Sequence, residues 1–552
     1  MFRAVVTPWT QNYDPLGFWP ASTLLATLPI VVLFYLLAFR RVGAAWAAVG
    51  GAVAALVIAV LAFGMPVSLA GASFLYGVAF GLVKIAWIVF SAVFLYDIAV
   101  ASGAFEIMKE SIAAISADRR LQALIIAFSF GAFIEGAAGF GAPVAISAAF
   151  MVGLGFQPFY AAALCLIANT APVAWGALGT PVHTLAAVTA LPEADLNAMI
   201  GRILPFTSII VPFWLVRTMV PWKETFAVLP AILVTGVFFA VPQFYWSNYQ
   251  DSNLVDIVAS LVSLAAMVAL LRFWRPGQIW RFPEETAAPA KTTASNAAVF
   301  RAWMPFVILS VFVFLWGLPS VKKVLNVVTP VFPVPGLHQG VARVAPVVEG
   351  VIPEAALFDF NWLAATGTGV FLAAVVSGLA LGLSPRALGR TFLTTAHRMR
   401  MPLVAISFML GLGFVTRYSG VDAVLGLACT RTGFLYPFFG TFLGWLGVAL
   451  TGSDTSSNAL FGSLQRITAE QLGFDPVLMA AANSSGGVMG KMVDAQSIVV
   501  ATAATRQVGN EGRIFRFVLW HSIVLGAIVG LIVMAYAFVF PQLVPHGLTF
   551  PR

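Results

Sequence analysis

The chain has 552 residues, of which 60% are hydrophobic and only 9% charged, and its mean hydropathy is +0.94. A soluble globular chain is about 25% charged, so this composition argues against a soluble enzyme and for an all-α polytopic membrane protein. The formal net charge is +8, but no basic face with interleaved aromatics is present, which argues against nucleic acid as a partner.

Apolar stretches approaching ~20 residues read as spanning helices. In chain order they are 22–39, 44–64, 72–101, 159–178, 203–220, 226–241, 254–273, 302–318, 361–383, 401–418, 477–500 and 514–540, about twelve in all. Two further apolar stretches, 121–154 and 434–472, are interrupted by glycine-rich or polar sequence. They are expected to be re-entrant hairpins, which enter the bilayer and return on the same side. The expected layout is a leading segment and first helix (1–43), a first repeat (44–220), a connecting region (221–360) and a second repeat (361–552). Within the connecting region, 274–300 reads as a flexible cytoplasmic linker and 319–359 as an external loop. The basic residues Arg40, Arg41, Lys109, Arg119, Arg120, Arg217, Lys223, Arg386, Arg398 and Arg400 flank the stretches. Placing them on the cytoplasmic side makes every parity work, with both termini outside, provided the two broken stretches are hairpins. Residues 1–20 lack the basic region and cleavage site of a signal peptide, so the whole chain is expected to be mature. Cys165 and Cys429 lie far apart in apolar surroundings, without disulfide or metal spacing. No metal or cofactor is expected.

The halves resemble each other at a shift of about 317 residues. Ser102-Gly103 matches Ser419-Gly420, Leu154-Gly155-Phe156-Gln157-Pro158 matches Leu472-Gly473-Phe474-Asp475-Pro476, and Asn169 and Gly176 match Asn483 and Gly490. Basic clusters in one copy fall on uncharged or weakly charged loops in the other. Equivalent loops on opposite sides are the mark of an inverted-topology repeat, which places a binding site near the midplane between copies.

Four polar elements carry the chemistry. The first is the turn Gly131-Ala132-Phe133-Ile134-Glu135-Gly136-Ala137-Ala138-Gly139-Phe140-Gly141-Ala142-Pro143. Glycine permits a tight intramembrane turn, proline stops helical bonding, and freed backbone survives at that depth only inside protein or beside a watery cavity. Glu135 within it is a candidate proton carrier, since intramembrane carboxyls are usually functional and burial favours their protonated form. The second is Thr451-Gly452-Ser453-Asp454-Thr455-Ser456-Ser457-Asn458, where Asp454 is a second proton-coupling candidate and Ser453 and Thr455 are substrate donors; hydroxyls with a carboxylate also suit a hard cation. The third and fourth, Asn169-Thr170 and Asn483-Ser484-Ser485, are expected to unwind helices in mid-membrane and offer donors and helix termini to a carboxylate. Their alternative role is to cap the broken helices. His521 and His183 are candidate proton relays. Lys84, Asp97, Arg417, Lys491 and Asp494 are further buried charges, and Glu193 and Asp195 are expected in an outer loop. H-E-x-x-H, G-x-S-x-G and phosphate-loop signatures are missing, which argues against a membrane-embedded enzyme or an ATP-driven pump.

These residues resemble the bacterial lactate permease family. The resemblance runs from Trp9-Thr10-Gln11-Asn12-Tyr13-Asp14-Pro15 through Glu135–Pro143, Asn169–Pro172 and Leu450–Asn458 to Arg516–His521. It implies a multi-pass protein of the bacterial inner membrane. It further implies proton-coupled symport of 2-hydroxymonocarboxylates (L-lactate, D-lactate, glycolate), by an elevator-like movement of the hairpins against a scaffold. A sodium-coupled carboxylate transporter of the same architecture is the alternative. Around Lys491, Asp494, Lys84 and Asp97 the sequence departs from the family pattern, and opposite charges there are expected to neutralise each other.

Overall fold

A computed structural model describes residues 8–36, 40, 42–139, 142–282, 294–348, 350–507 and 510–548. Arg41, Phe140, Gly141 and Lys291 lie outside the described residues. The first run of helices comprises α1 (Trp19–Phe34), α2 (Ala44–Leu61), α3 (Val67–Ala101), α4 (Ala104–Ala113), α5 (Arg119–Ala138), α6 (Ala142–Gly153), α7 (Pro158–Ala168), α8 (Gly176–Thr189) and α9 (Glu193–Met219). Two connecting helices follow, α10 (Leu229–Tyr249) and α11 (Val255–Phe273). The second run comprises α12 (Asn296–Gly317), α13 (Thr366–Ala380), α14 (Pro385–Ser419), α15 (Val421–Cys429), α16 (Tyr436–Thr451), α17 (Asp454–Leu472), α18 (Pro476–Gly490), α19 (Ala495–Ala504) and α20 (Glu511–Phe538).

The protein is an all-α polytopic membrane protein. Among the described residues ten helices are long and apolar enough to cross a bilayer, or eleven if the bent pair at 158–189 is one span. The expectation of about twelve differs because α1 and α13 have only 16 and 15 residues, and because the 477–500 stretch breaks in two. Conversely α5, the first arm of the first expected hairpin, has 20 residues and passes the length test. Lipid exposure separates these helices. The apolar window of α12 is 28% buried, whereas that of α5 is entirely buried, so α5 is sheathed by protein and leaves the lipid contact to others.

Both broken stretches do reverse direction. In the first, the rings of Phe130 and Phe150 stack edge-on at 6.2 Å, and the turn begins at Gly139 with φ 58°. In the second, the Tyr436 hydroxyl donates to Gln465 Oε1 at 2.6 Å and Ser457 Oγ donates to the Gly444 carbonyl at 3.0 Å, so α16 and α17 run antiparallel. Gly452 makes that turn with φ 71°, a left-handed conformation that favours glycine.

The two runs pack in an exchanged pattern. α1 packs on α15 as α12 packs on α4; α2 on α14 as α13 on α3; α8 on α17 as α19 on α6; and α7 on α20 as α18 on α9. The turn glycines match too, Gly103 with Gly420 and Gly155 with Gly473, each at positive φ. The sequence similarity is accompanied by a matching pattern of helix contacts.

The 319–359 region holds two small sheets. The strands are β1 (Trp9–Thr10), β2 (Val331–Pro333), β3 (Val341–Arg343), β4 (Ile352–Pro353) and β5 (Leu357–Asp359), in the orders β1-β3-β4 and β2-β5. β1 pairs in parallel with β3, so the described start of the chain and this region lie side by side. Gln11 fixes them to the bundle by donating to the carbonyls of Arg417 and Tyr418, at 2.8 and 3.0 Å. The first residues of the 274–300 linker are also docked. Trp280 N donates to Asp118 Oδ2 at 2.9 Å, Arg120 donates to the Gln278 carbonyl at 3.0 Å, and Phe282 packs on Phe156. A flexible linker was expected across this whole stretch; residues 283–293 lie outside the described ones.

Candidate functional site

The tips of the two hairpins meet. Between them lies a cavity of about 30 Å³, lined by Glu135 and Gly139 of the first hairpin and by Gly452, Ser453, Asp454 and Thr455 of the second. Gly176, Ala177, Thr180 and Pro181 from the first broken helix and Lys491 from the second complete the wall. The volume admits on the order of one or two waters. A larger groove of about 380 Å³, at Leu82, Trp87, Phe360 and Trp362, carries no charged group in its lining and is unsuited to an anion.

Local backbone explains this convergence. α7 stops at Ala168, and Ala177, Leu178 and Gly179 are all left-handed, with φ 45°, 58° and 73°. That conformation costs non-glycine residues about 1–2 kcal/mol each, and such strain persists where surrounding structure enforces it, commonly at functional sites. Opposite, Ser453 caps α17 by accepting from Ser456 N, so the positive end of a 19-residue helix dipole faces the cavity.

Lys491 is the one cation lining this cavity among the described residues. Its Nζ donates to the Gly452 carbonyl at 2.5 Å and lies 3.3 Å from Asp494 Oδ2. The pair therefore does neutralise itself. Lys84 and Asp97 do not neutralise each other: Lys84 pairs with Asp359 at 2.7 Å and Asp97 with Arg398 at 2.7 Å.

A buried polar ladder runs from the cavity into the second hairpin. Asp454 Oδ2 accepts from Ser484 Oγ at 2.5 Å and from Asn458 Nδ2 at 3.3 Å. Asn458 Nδ2 also reaches the Pro181 carbonyl at 3.2 Å, and Asn483 Nδ2 donates to Asn458 Oδ1 at 2.9 Å. Gln465 then donates to Asn483 Oδ1 at 3.2 Å. Asp454 Oδ1, Glu135 Oε2 and Ser485 Oγ are buried without a hydrogen-bond partner. Asn458→Ala leaves the Pro181 carbonyl and the Asn483 amide without this partner, a cost of about 1–3 kcal/mol per group. The melting temperature of the purified protein in detergent is therefore expected to fall by several degrees; an unchanged melting temperature would remove the ladder from the fold's support.

The predicted residues sort clearly. Glu135, Ser453, Asp454 and Thr455 line the cavity. Asn169 is buried beside Glu135, close enough for its amide to act on that carboxyl, although neither amide atom makes a hydrogen bond of ordinary geometry. Asn483 and Ser484 reach the cavity only through Asn458 and Asp454. Thr170 donates to the Ile167 carbonyl at 2.8 Å, which is the capping role. The helix around Asn483–Gly487 is not unwound: α18 runs unbroken to Gly490 and the break falls at Lys491–Asp494. Gly486 and Gly490 instead allow α16 to pack closely, and Gly487 leaves room for Asp454 of α17. His521 stands away from the cavity lining, its Nδ1 accepting from Trp214 Nε1 at 2.9 Å. His183 pairs with Glu193 at 3.0 Å. Asp195 is buried and accepts from Gly547 N and Leu548 N, so these two acids occupy the first turn of α9, where an outer loop was expected. Arg417 pairs with Glu354 at 3.0 Å under the β-strands.

Apposed hairpin tips, interrupted helices and a charged cavity inside an apolar bundle define a multi-pass membrane transporter. The chain belongs to the L-lactate permease family, whose sequence profile matches residues 22–540. It is similar to glycolate permease GlcA of Escherichia coli (strain K12), 45% identical over 96% of this chain and 98% of that one. It is similar also to L-lactate permeases of Salmonella typhimurium (45%; 97% and 100%) and Bacillus subtilis (43%; 97% and 100%). Among solved structures it is similar to the Alcanivorax borkumensis YdaH transporter, 13% identical with a TM-score of 0.43 over 81% of this chain and 84% of that one; the description of the fold rests on the chain's own helices. The protein is a permease of the bacterial inner membrane and not an enzyme.

Proposed function

We propose that this permease carries small 2-hydroxymonocarboxylates (L-lactate, D-lactate, glycolate) inward in symport with protons. The observation that carries the reading is the cavity itself, where one ammonium, a helix N-terminus and three hydroxyls stand beside two carboxyls. The relatives' names, lactate and glycolate permeases, point to the same substrate class. The substrate carboxylate takes Lys491 from the Gly452 carbonyl and meets the α17 N-terminus, and Ser453 and Thr455 bind its oxygens or its 2-hydroxyl. Lys491 and Asp494 are already balanced, so an entering anion leaves the buried site one negative charge in excess. Uptake of one proton on whichever of Glu135 or Asp454 is ionised returns the site to the charge it held before the anion entered, so no additional charge is buried in a low-dielectric site.

The cavity is too small for a six-heavy-atom anion, so the tips part to admit it. Two oppositely oriented repeats with hairpins moving against the α2, α3, α13 and α14 scaffold would expose the site to each side in turn. Sodium coupling is the runner-up. The Lys491 ammonium repels a second cation in so small a cavity, which favours the proton.

A competition series tests the substrate class. Unlabelled glycolate and D-lactate are expected to suppress uptake of labelled L-lactate, and lactamide, which lacks the carboxylate, is expected not to. Equal suppression by lactamide would defeat the carboxylate reading.

A further inference from the structure

A further buried acid is Asp256, the second residue of α11. It is 1% exposed, and neither carboxylate oxygen has a hydrogen-bond partner. The usual reason for an acid in the first turn of a helix is to cap the free N–H groups. Here it caps nothing: α11 has no side-chain cap, and Asp251 Oδ1 accepts from Asn253 N at 3.0 Å and Leu254 N at 3.3 Å just ahead of the helix. Asp256 thus makes no structural hydrogen bond, yet it is held in the protein interior.

Its neighbour across the helix contact is the first hairpin. A Cβ placed on Gly136 would lie 2.7 Å from Asp256 Cβ and 3.3 Å from the Ile257 backbone nitrogen. The missing side chain at 136 is thus what lets α11 bring its acid against α5, one residue from Glu135. The charge that acts on Asp256 is that of Glu135. The other charged groups nearby are occupied: His183 on α8 pairs with Glu193 on α9, and Lys491 and Asp494, which face Glu135, pair with each other. Two buried acids whose charges act on one another in an apolar setting do not both ionise; one proton between them is the stable state.

We infer that Asp256 is a second proton-carrying carboxyl, which forms with Glu135 a buried acid pair that holds the coupling proton on the side of α5 away from the substrate. Transfer passes H⁺ from the hydroxyl oxygen of one carboxyl to a carboxylate oxygen of the other, and the negative charge moves the opposite way. The inference rests on the proton-coupled reading above and adds a route: Glu135 meets the cavity, and Asp256 meets Glu135 from behind.

The test uses the purified full chain in proteoliposomes with labelled lactate. Asp256→Asn is expected to lose pH-gradient-driven accumulation at least tenfold more than it loses lactate counterflow at equal pH, and Asp256→Glu is expected to recover part of the accumulation. Gly136→Ala, which displaces the acid without removing it, is expected to show the same split more weakly. Asp256→Asn accumulating within twofold of the unmodified protein overturns the inference. So does an equal loss of counterflow and accumulation in both variants, which marks a purely structural residue. Should Asp256→Asn fail to fold, Gly136→Ala decides by the same criterion, with no split counting against the pair. If the unmodified protein itself accumulates nothing under a pH gradient, the failure belongs to proton coupling and not to Asp256.

Discussion

Lys491→Met raises the KM for lactate uptake about 10- to 150-fold, the equivalent of losing a charge-assisted hydrogen bond of about 1.5–3 kcal/mol. Methionine nearly matches lysine in length, so packing at the 30 Å³ cavity is largely kept while the ammonium disappears. Stability suffers as well. Asp494 is fully buried, and breaking a buried ion pair from one side costs about 3–5 kcal/mol. The double variant Lys491→Met with Asp494→Asn separates the two effects. It removes the stranded carboxylate and is expected to recover much of the melting temperature without recovering KM. Asp494 Oδ1 also accepts from Ser497 N at 2.7 Å to start α19, and asparagine preserves that cap. Radiolabelled uptake over a range of lactate concentrations gives the answer. A double variant with ordinary KM would show that Lys491 serves folding and not the substrate.

Glu135→Gln abolishes accumulation driven by a pH gradient. Glutamine keeps the shape of the side chain, its place beside Gly176 and its reach into the cavity, but it neither takes up nor releases a proton. The entering carboxylate then adds an uncompensated charge to the buried site, unless Asp454 alone supplies the proton. The expected result is a loss of at least tenfold in the steady-state lactate ratio across the membrane, measured against the unmodified protein at the same gradient. Near-normal accumulation would take Glu135 out of the mechanism and leave Asp454 to carry the proton.

Much of this site can be read from the amino-acid sequence, and what escapes does so for physical reasons. The interruptions at Glu135–Gly139 and Thr451–Asn458 stand out because glycine and polar residues are costly in lipid unless they face a cavity. Their positions at two hairpin tips follow from that cost. The break after Asn169 is likewise where the sequence puts it. The break in the fourth element is not, because glycines serve two ends. Gly486 and Gly487 suggest unwinding by composition, yet they sit where Thr441 and Val448 of α16 and Asp454 of α17 press on α18, a fact visible only once the partner helices are placed. The run Asn483-Ser484-Ser485 shows polarity without showing facing. Asn483 is engaged by Asn458 and Gln465 and Ser484 by Asp454, while Ser485 has no partner.

Helix lengths mislead for a related reason. Hydropathy stops the fourteenth helix near residue 401, but α14 starts at Pro385, because Arg386, Arg390, Arg398 and Arg400 are good helix formers that leave the apolar window without leaving the helix. The strands at 331–359 escape because they are two or three residues long, too short to show a period of two. His521 was singled out as a lone titratable group in an apolar stretch, and such a histidine is satisfied by an indole N–H as readily as by a proton path. Asp256 escapes for the opposite reason: at the very start of α11 it reads as an ordinary first-turn acid, and only its lack of any hydrogen-bond partner in the folded chain exposes it.

The most direct measurement of the account is accumulation of labelled L-lactate by proteoliposomes holding the purified protein, with the exterior more acidic than the lumen and no sodium present. Accumulation above the medium concentration that collapses when a protonophore dissipates the pH gradient is the predicted result. Accumulation that ignores the gradient, or that appears only when sodium is added, would contradict it.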